Sequence, residues 1–240
     1  MAPQIPPMPT PPTPDAGAGA HGSQPIYSRA DDLAFFTVAL RAQVVADVAG
    51  LTHAASGMRH YLGNSGDDFT ISPDEAMSDV PRLKAYADKV VTDAVRPIAT
   101  DPANHNRTVT FTSPDWDDFS VGQAESNDWY LAMASVEICA TGVVTTKPAE
   151  GGGDPHIAMD YQIHLFDKYN WDGGKHVYIL NIKLTDERLG ALHTAGLAKE
   201  FLQFGTSTTK HYEGTLPSAG SLDLPSTDVG REGSRTDPGR

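Results

Sequence analysis

The sequence predicts an α+β fold, with N-terminal helices packed on an antiparallel β-sheet and a further helix near the C-terminus. Three observations predict it. Apolar residues recur at three- and four-residue steps between Leu33 and Ala94, the period of a helix. Past residue 105 the period becomes two, most cleanly in Ile157, Met159, Tyr161, Ile163 and Leu165. A helical period then returns after Thr185.

Three segments follow from composition. Residues 1–25 read as a disordered arm, because proline fills seven of the first fourteen positions and 15–23 is rich in Gly and Ala. Such a segment has too little apolar surface to offset its ordering entropy. Residues 26–215 read as one α+β domain, a length that supports a core without disulfide or metal. Residues 216–240, rich in Gly, Pro, Ser, Asp and Arg, read as a disordered polar tail.

The first helix carries the stripe Leu33, Phe36, Leu40, Val44, Val48 and Leu51, expected to be its buried face. Residues 58–62 are its last turn or a second short helix. Ser72-Pro73-Asp74-Glu75 places a cap, a proline at the first helical position and Glu at the third. Pro81 starts a new segment with Leu83, Tyr86, Val90 and Ala94 on one face, and Pro97 is expected to end it. The β region comprises a short run at 107–112, a long run at 129–146, the alternating run 155–167 joined to it by the turn-rich 148–154, and one strand over 176–184. Thr185 then caps a helix with Leu189, Leu192, Leu197, Phe201 and Phe204 on one face, stopped by Gly205. Residues 206–215 add an edge strand.

The formal net charge is −13, which disfavours phosphate backbones and anionic lipid. We therefore expect no nucleic-acid partner and, if a partner exists, a protein with a basic surface. No stretch approaches the roughly 18 apolar residues of a membrane span, so no span is expected. The first residues lack the basic and apolar regions of a signal peptide. Tyr27-Ser28-Arg29-Ala30-Asp31 fits the Y-x-x-x-D pattern of the actinobacterial type VII export signal, and Trp171-Asp172-Gly173 fits W-x-G. The expected location is the cytoplasm, or outside by that non-classical route. The single cysteine, Cys139, lies in an apolar run and is expected to be a buried thiol.

No phosphate-binding loop, dinucleotide fingerprint, nucleophile elbow or zinc motif is present. The densest group of chemically active side chains is 167–176, with two carboxylates, an amide, two aromatics, two lysines and a histidine. Asp167, Tyr169, Asp172 and the nearby His164 are the candidate catalytic residues, set as general acids and bases around one strand end. His156, Asp160 and His164 share a strand face, but adjacent members stand about 13 Å apart along it, too far to share a metal ion. Metal use and cofactor identity are left open.

Residues 59–66, 161–175 and 192–201, with the tail Arg-Glu-Gly-Ser-Arg-Thr-Asp-Pro-Gly-Arg, resemble a group of actinobacterial proteins related to C-terminal domains of secreted and polymorphic-toxin effectors. Asp167-Lys168-Tyr169 also resembles part of the Asp-x-Tyr-Asp…His-Arg motif of colicin M-type lipid II hydrolases. Asn170 stands where that motif has its second Asp, and no His-Arg pair follows. The resemblance implies a toxin-like bacterial effector domain with a hydrolytic site. The alternative expectation is a non-catalytic interaction or accessory domain tethered through the Pro-rich arm.

Overall fold

The structure is a computed structural model that describes residues 3–25, 29–149, 151, 153–171, 173–174, 176–179 and 181–226. The export-like Tyr27 and Ser28 lie outside the described residues, as does the tail beyond 226. Among the described residues the chain runs through six helices and nine strands, an α+β arrangement.

Four helices come first: α1 (Ala30–Val48), α2 (Thr52–Leu62), α3 (Pro73–Asp79) and α4 (Pro81–Thr100). The two-residue strand β1 (Phe69–Thr70) lies between α2 and α3. The cap at Ser72 forms as expected, its hydroxyl accepting from the Glu75 N–H at 3.2 Å. Pro81 opens α4, whereas Pro97 does not close it. The helix continues to Thr100, whose hydroxyl bonds the Arg96 carbonyl at 2.9 Å. Loss of one N–H so near the helix end leaves few intrahelical bonds to break.

Two long strands organise the sheet: β4 (Ser135–Lys147) and β5 (His156–Tyr169), paired antiparallel from Lys147↔His156 to Glu137↔Phe166. At 14 residues, β5 spans about 45 Å, so one neighbour cannot cover it. Its first half pairs with β9 (Lys210–Thr215) and its second half with β8 (Phe201–Thr206). In the same way β4 takes β2 (Thr108–Thr112) along one half and β3 (Asp117–Ser120) along the other. β1 joins β8 in parallel, making the sheet mixed and mostly antiparallel. The alternation expected in β5 holds: Ile157, Met159, Tyr161, Ile163 and Leu165 are all buried.

Three local expectations are corrected. Residues 129–133 belong to helix α5 (Asn127–Met133), because Ser126 caps it by accepting from the Trp129 N–H at 3.3 Å. The expected strand 176–184 is a separate hairpin, β6 (His176–Ile179) with β7 (Ile182–Thr185). The late helix is short: α6 runs Asp186–Thr194, and Gly196 at φ +72° ends it where an L-residue would be strained. Phe201 and Phe204, expected on that helix, lie on β8, where the strand-forming aromatics pair with β5.

Two cores result. One lies between α4 and the sheet, with Leu83, Val91, Trp129, Ile138 and Leu165. Leu216, Leu222 and Leu224 join it from the expected tail, the Leu222 N–H bonding Thr92 Oγ1 at 3.0 Å. The second gathers α1, α2 and α6 around Tyr169 and Phe201. Here the expectation for α1 reverses: its small-residue face, Ala39, Ala42 and Ala46, is buried, while Leu33, Leu40, Val44 and Val48 are exposed, Val48 at 85%. Small side chains let α1 approach α2 closely, which larger ones would prevent. The N-terminal arm, expected to be disordered, lies against the body at several points, with the Thr141 hydroxyl donating to Pro6 O at 2.9 Å and Trp116 Nε1 to Thr10 O at 3.2 Å.

The inverted α1 face makes a direct test. Val44→Ser and Val48→Ser should each cost less than about 0.5 kcal/mol in urea unfolding. Ala42→Leu should cost about 1–3 kcal/mol through overpacking. The opposite ranking would place the apolar stripe in the core.

Candidate functional site

The candidate site arises where the two long strands part. β4 stops pairing with β5 at Glu137↔Phe166, while β8 stays beside β5 through Asp167↔Gln203 and Tyr169↔Phe201. Ala134, at φ +37°, turns the chain from α5 into β4. The gap is a cleft of about 220 Å³ lined by 130–135 on one side and by 167–171 with Gly173, Val177 and Asp186 on the other.

Asp167 is on the wall of this cleft and half-buried. Gln203 Nε2 donates to its Oδ2 at 2.9 Å and also to Ala132 O at 3.1 Å, tying α5 to β5. Burial pushes the Asp167 carboxyl up to about 7, and the Asp15 and Glu137 charges add to this, against the opposing hydrogen bonds from Gln203 and the Lys168 backbone. Lys168, adjacent in the strand, points to the other face by the period of two. Its ammonium lies 3.4 Å from the buried Glu200 carboxylate and donates to Asp15 O at 2.9 Å.

Tyr169 follows Asp167 on the same face but is packed into the second core. Its ring stacks on Phe201 at 4.8 Å and meets Trp171 edge-on at 5.3 Å. Burial first, then the Asp167 charge, raise its phenol far above the usual range, so it stays protonated. Trp171 lines the cleft with its indole N–H buried and without a hydrogen-bond partner among the described residues. Asp172 lies outside the described residues.

His164 is not in the cleft. Three residues back along β5, it is on the arm-facing side, fully buried. Its Nε2 is 2.9 Å from Thr141 Oγ1, and its Nδ1 is 2.9 Å from Thr206 Oγ1. Since the Thr141 hydroxyl donates to Pro6 O, His164 Nε2 donates to Thr141 and Nδ1 accepts from Thr206. Burial pulls this imidazole down to about 4, so it is neutral near pH 7. The structure thus brings Asp167 and Tyr169 together and leaves His164 apart.

Cys139 is buried as expected, its thiol pushed up to about 12 by burial against a weaker opposing bond from Ser113. His193, on α6, accepts the Glu200 N–H at Nδ1, 3.0 Å, and donates from Nε2 to Gly19 O at 3.1 Å. Asp160 pairs with His211 at 2.8 Å. Among the described residues no three His, Cys, Asp or Glu side chains are grouped to hold a metal ion, and no helix is long and apolar enough to cross a membrane.

Sequence reasoning missed Gln203 and Glu200, because both were read as part of a helix. It also missed a second cavity of about 460 Å³ that Gln203 helps to line, beside His53, Glu75 and Trp129. His53 stacks on Trp129 at 3.9 Å and joins Asp128 at 2.8 Å and Glu75 at 3.3 Å. Burial lowers its pKa, but the two carboxylates outweigh this and leave it raised. Asp128 also accepts the N–H groups of His53 and Ala54, which caps the start of α2.

No family model matches the chain, and no curated protein does. Among solved structures it is similar to PaeM, a colicin M-like bacteriocin produced by Pseudomonas aeruginosa. The identity is 14%, the match covers 71% of this chain and 51% of that one, and the TM-score is 0.36. The chain thus matches about half the length of that protein. At this level of likeness the chemistry of the cleft is read from this chain's own residues.

Asp167 and His164 give opposite pH dependences. Asp167 binds its proton more tightly folded than unfolded, so its contribution weakens stability as pH rises from about 4 through about 7. Asp167→Asn should remove that slope, gaining on wild type in urea midpoint between about pH 4 and about pH 7. His164 binds its proton less tightly folded, so its contribution falls as pH drops from about 6.5 through about 4. His164→Gln should lessen that acid loss. Parallel curves for wild type and variant would remove the burial account for that group.

Proposed function

We propose that the chain is a toxin-like effector domain that hydrolyses its substrate in the cleft beside β5, with Asp167 as the proton-transferring group. One observation carries this reading: a carboxyl on the wall of a cleft, pushed up to about 7. Near neutral pH such a group is populated both as acid and as base. In one turnover it takes a proton from attacking water and returns a proton to the leaving group, so its own protonation is restored. Gln203 holds the carboxyl in place. Tyr169 acts by packing, because its phenol stays protonated. The toxin-like character rests on the likeness of Asp167-Lys168-Tyr169 to the colicin M-type motif.

A second reading, an interaction module, is favoured by the exposed Leu33, Leu40, Val44 and Val48 on α1. Expression in a bacterium, directed to the cytoplasm or the periplasm, separates the two. Wild type should reduce viability in one compartment, and Asp167→Asn should relieve this by about 100-fold or more, the usual weight of a general acid–base group. Equal toxicity of the variant would move the site elsewhere. Harmless wild type in both compartments would leave the interaction module.

A further inference from the structure

The N-terminal arm does not stop at the sheet. It reaches the wall of the Asp167 cleft at Asp15 and continues along α6. Asp15 is the arm residue on the cleft wall. Its carboxylate accepts from Asn170 Nδ2, and its backbone carbonyl accepts from Lys168 Nζ at 2.9 Å. Three residues on, the Ala18 N–H donates to Glu200 Oε1 at 2.9 Å. The Glu200 side chain is 3% exposed and also accepts the Trp171 backbone N–H at 3.3 Å, so one buried carboxylate holds both the arm and the cleft wall. Beyond this, Gly19 O accepts from His193, Gly22 N–H donates to His193 O at 3.1 Å, and Gln24 N–H donates to Thr194 O at 2.8 Å.

We infer that residues 15–24 are an inhibitory strap that closes the Asp167 cleft, with Asp15 as its latch; this rests on the reading of that cleft as the active site. Two features distinguish a strap from a structural strand. Its bonds run to side chains and to the end of α6 and not to the backbone ladder of the sheet, so it opens below the free energy of global unfolding. Its course also depends on Gly17, at φ +62°, where a Cβ would lie 2.1 Å from Glu200 Oε2 and 2.5 Å from Lys168 Nζ. The Asp15 side chain, 59% exposed, occupies the amide of Asn170 and neighbours the ammonium of Lys168, polar groups that a substrate entering the cleft would meet. Opening the strap frees these groups without disturbing either core.

The test uses the full chain carrying Asp15→Ala or Gly17→Val, with melting temperature as a check that the body is intact. Lysine footprinting with an acylating reagent reads the latch directly. Lys168 is 16% exposed in the strapped state, and Lys89, at 53%, serves as internal reference. Both variants should raise Lys168 modification severalfold relative to Lys89, and both should increase Asp167-dependent toxicity. Unchanged Lys168 modification in an intact variant overturns the latch. Raised modification with unchanged toxicity overturns inhibition while the Asp167 reading stands. Toxicity that never depends on Asp167 in any variant overturns both, since no activity at this cleft is then restrained.

Discussion

The antiparallel pairing of β4 with β5 is the constraint on which the remaining structure depends. Eleven residue pairs, from Lys147↔His156 to Glu137↔Phe166, hold two strands too long for a single flanking neighbour. Each strand therefore recruits different partners along its two halves. Because β5 outruns its pairing with β4 by three residues, one wall of the sheet opens at that end. The cleft is a consequence of unequal pairing, and its chemistry is whatever β5 carries there: Asp167, Lys168 and Tyr169.

The strand period sorts those three residues. Asp167 and Tyr169 go to the helical side, where Gln203 meets the carboxyl and Phe201 the ring. Lys168 goes to the other side, beside Glu200 and the arm. The cleft is rich in acidic groups, with Asp15 and Asp186 also on its walls. Burial desolvates the Asp167 carboxylate, and the Asp15 and Glu137 charges repel it, so its affinity for a proton rises to near neutrality.

Much of the candidate site was legible before the fold was known. The segment 167–176 stood out for its density of reactive side chains, and Asp167 and Tyr169 do meet at one strand end. His164 was placed with them by nearness in sequence, but an odd separation of three residues along a strand puts it on the opposite face from Asp167. Gln203 and Glu200 could not be found this way. Their significance comes from lying across a ladder from β5, and the apolar steps from Leu189 to Phe204 fit a helix as well as a helix followed by a strand. The caution applies equally to α1, where a regular stripe of large apolar residues suggested the buried face and a row of alanines occupies it.

By itself the sequence determined the features that depend on neighbours a few residues away: the α+β order, the cap at Ser72, the restart at Pro81, the hairpin of β4 with β5 and the inward face of β5. Capping, turn chemistry and alternation act over one or two turns of chain, so local residues suffice to set them. Only the tertiary structure decided which face of α1 is covered, that 201–206 is a strand, that β4 and β5 part at Phe166, and that Asp15 lies on the cleft wall. Each of these turns on contact between segments far apart in sequence, where steric fit and desolvation compete among many partners and no local pattern records the winner.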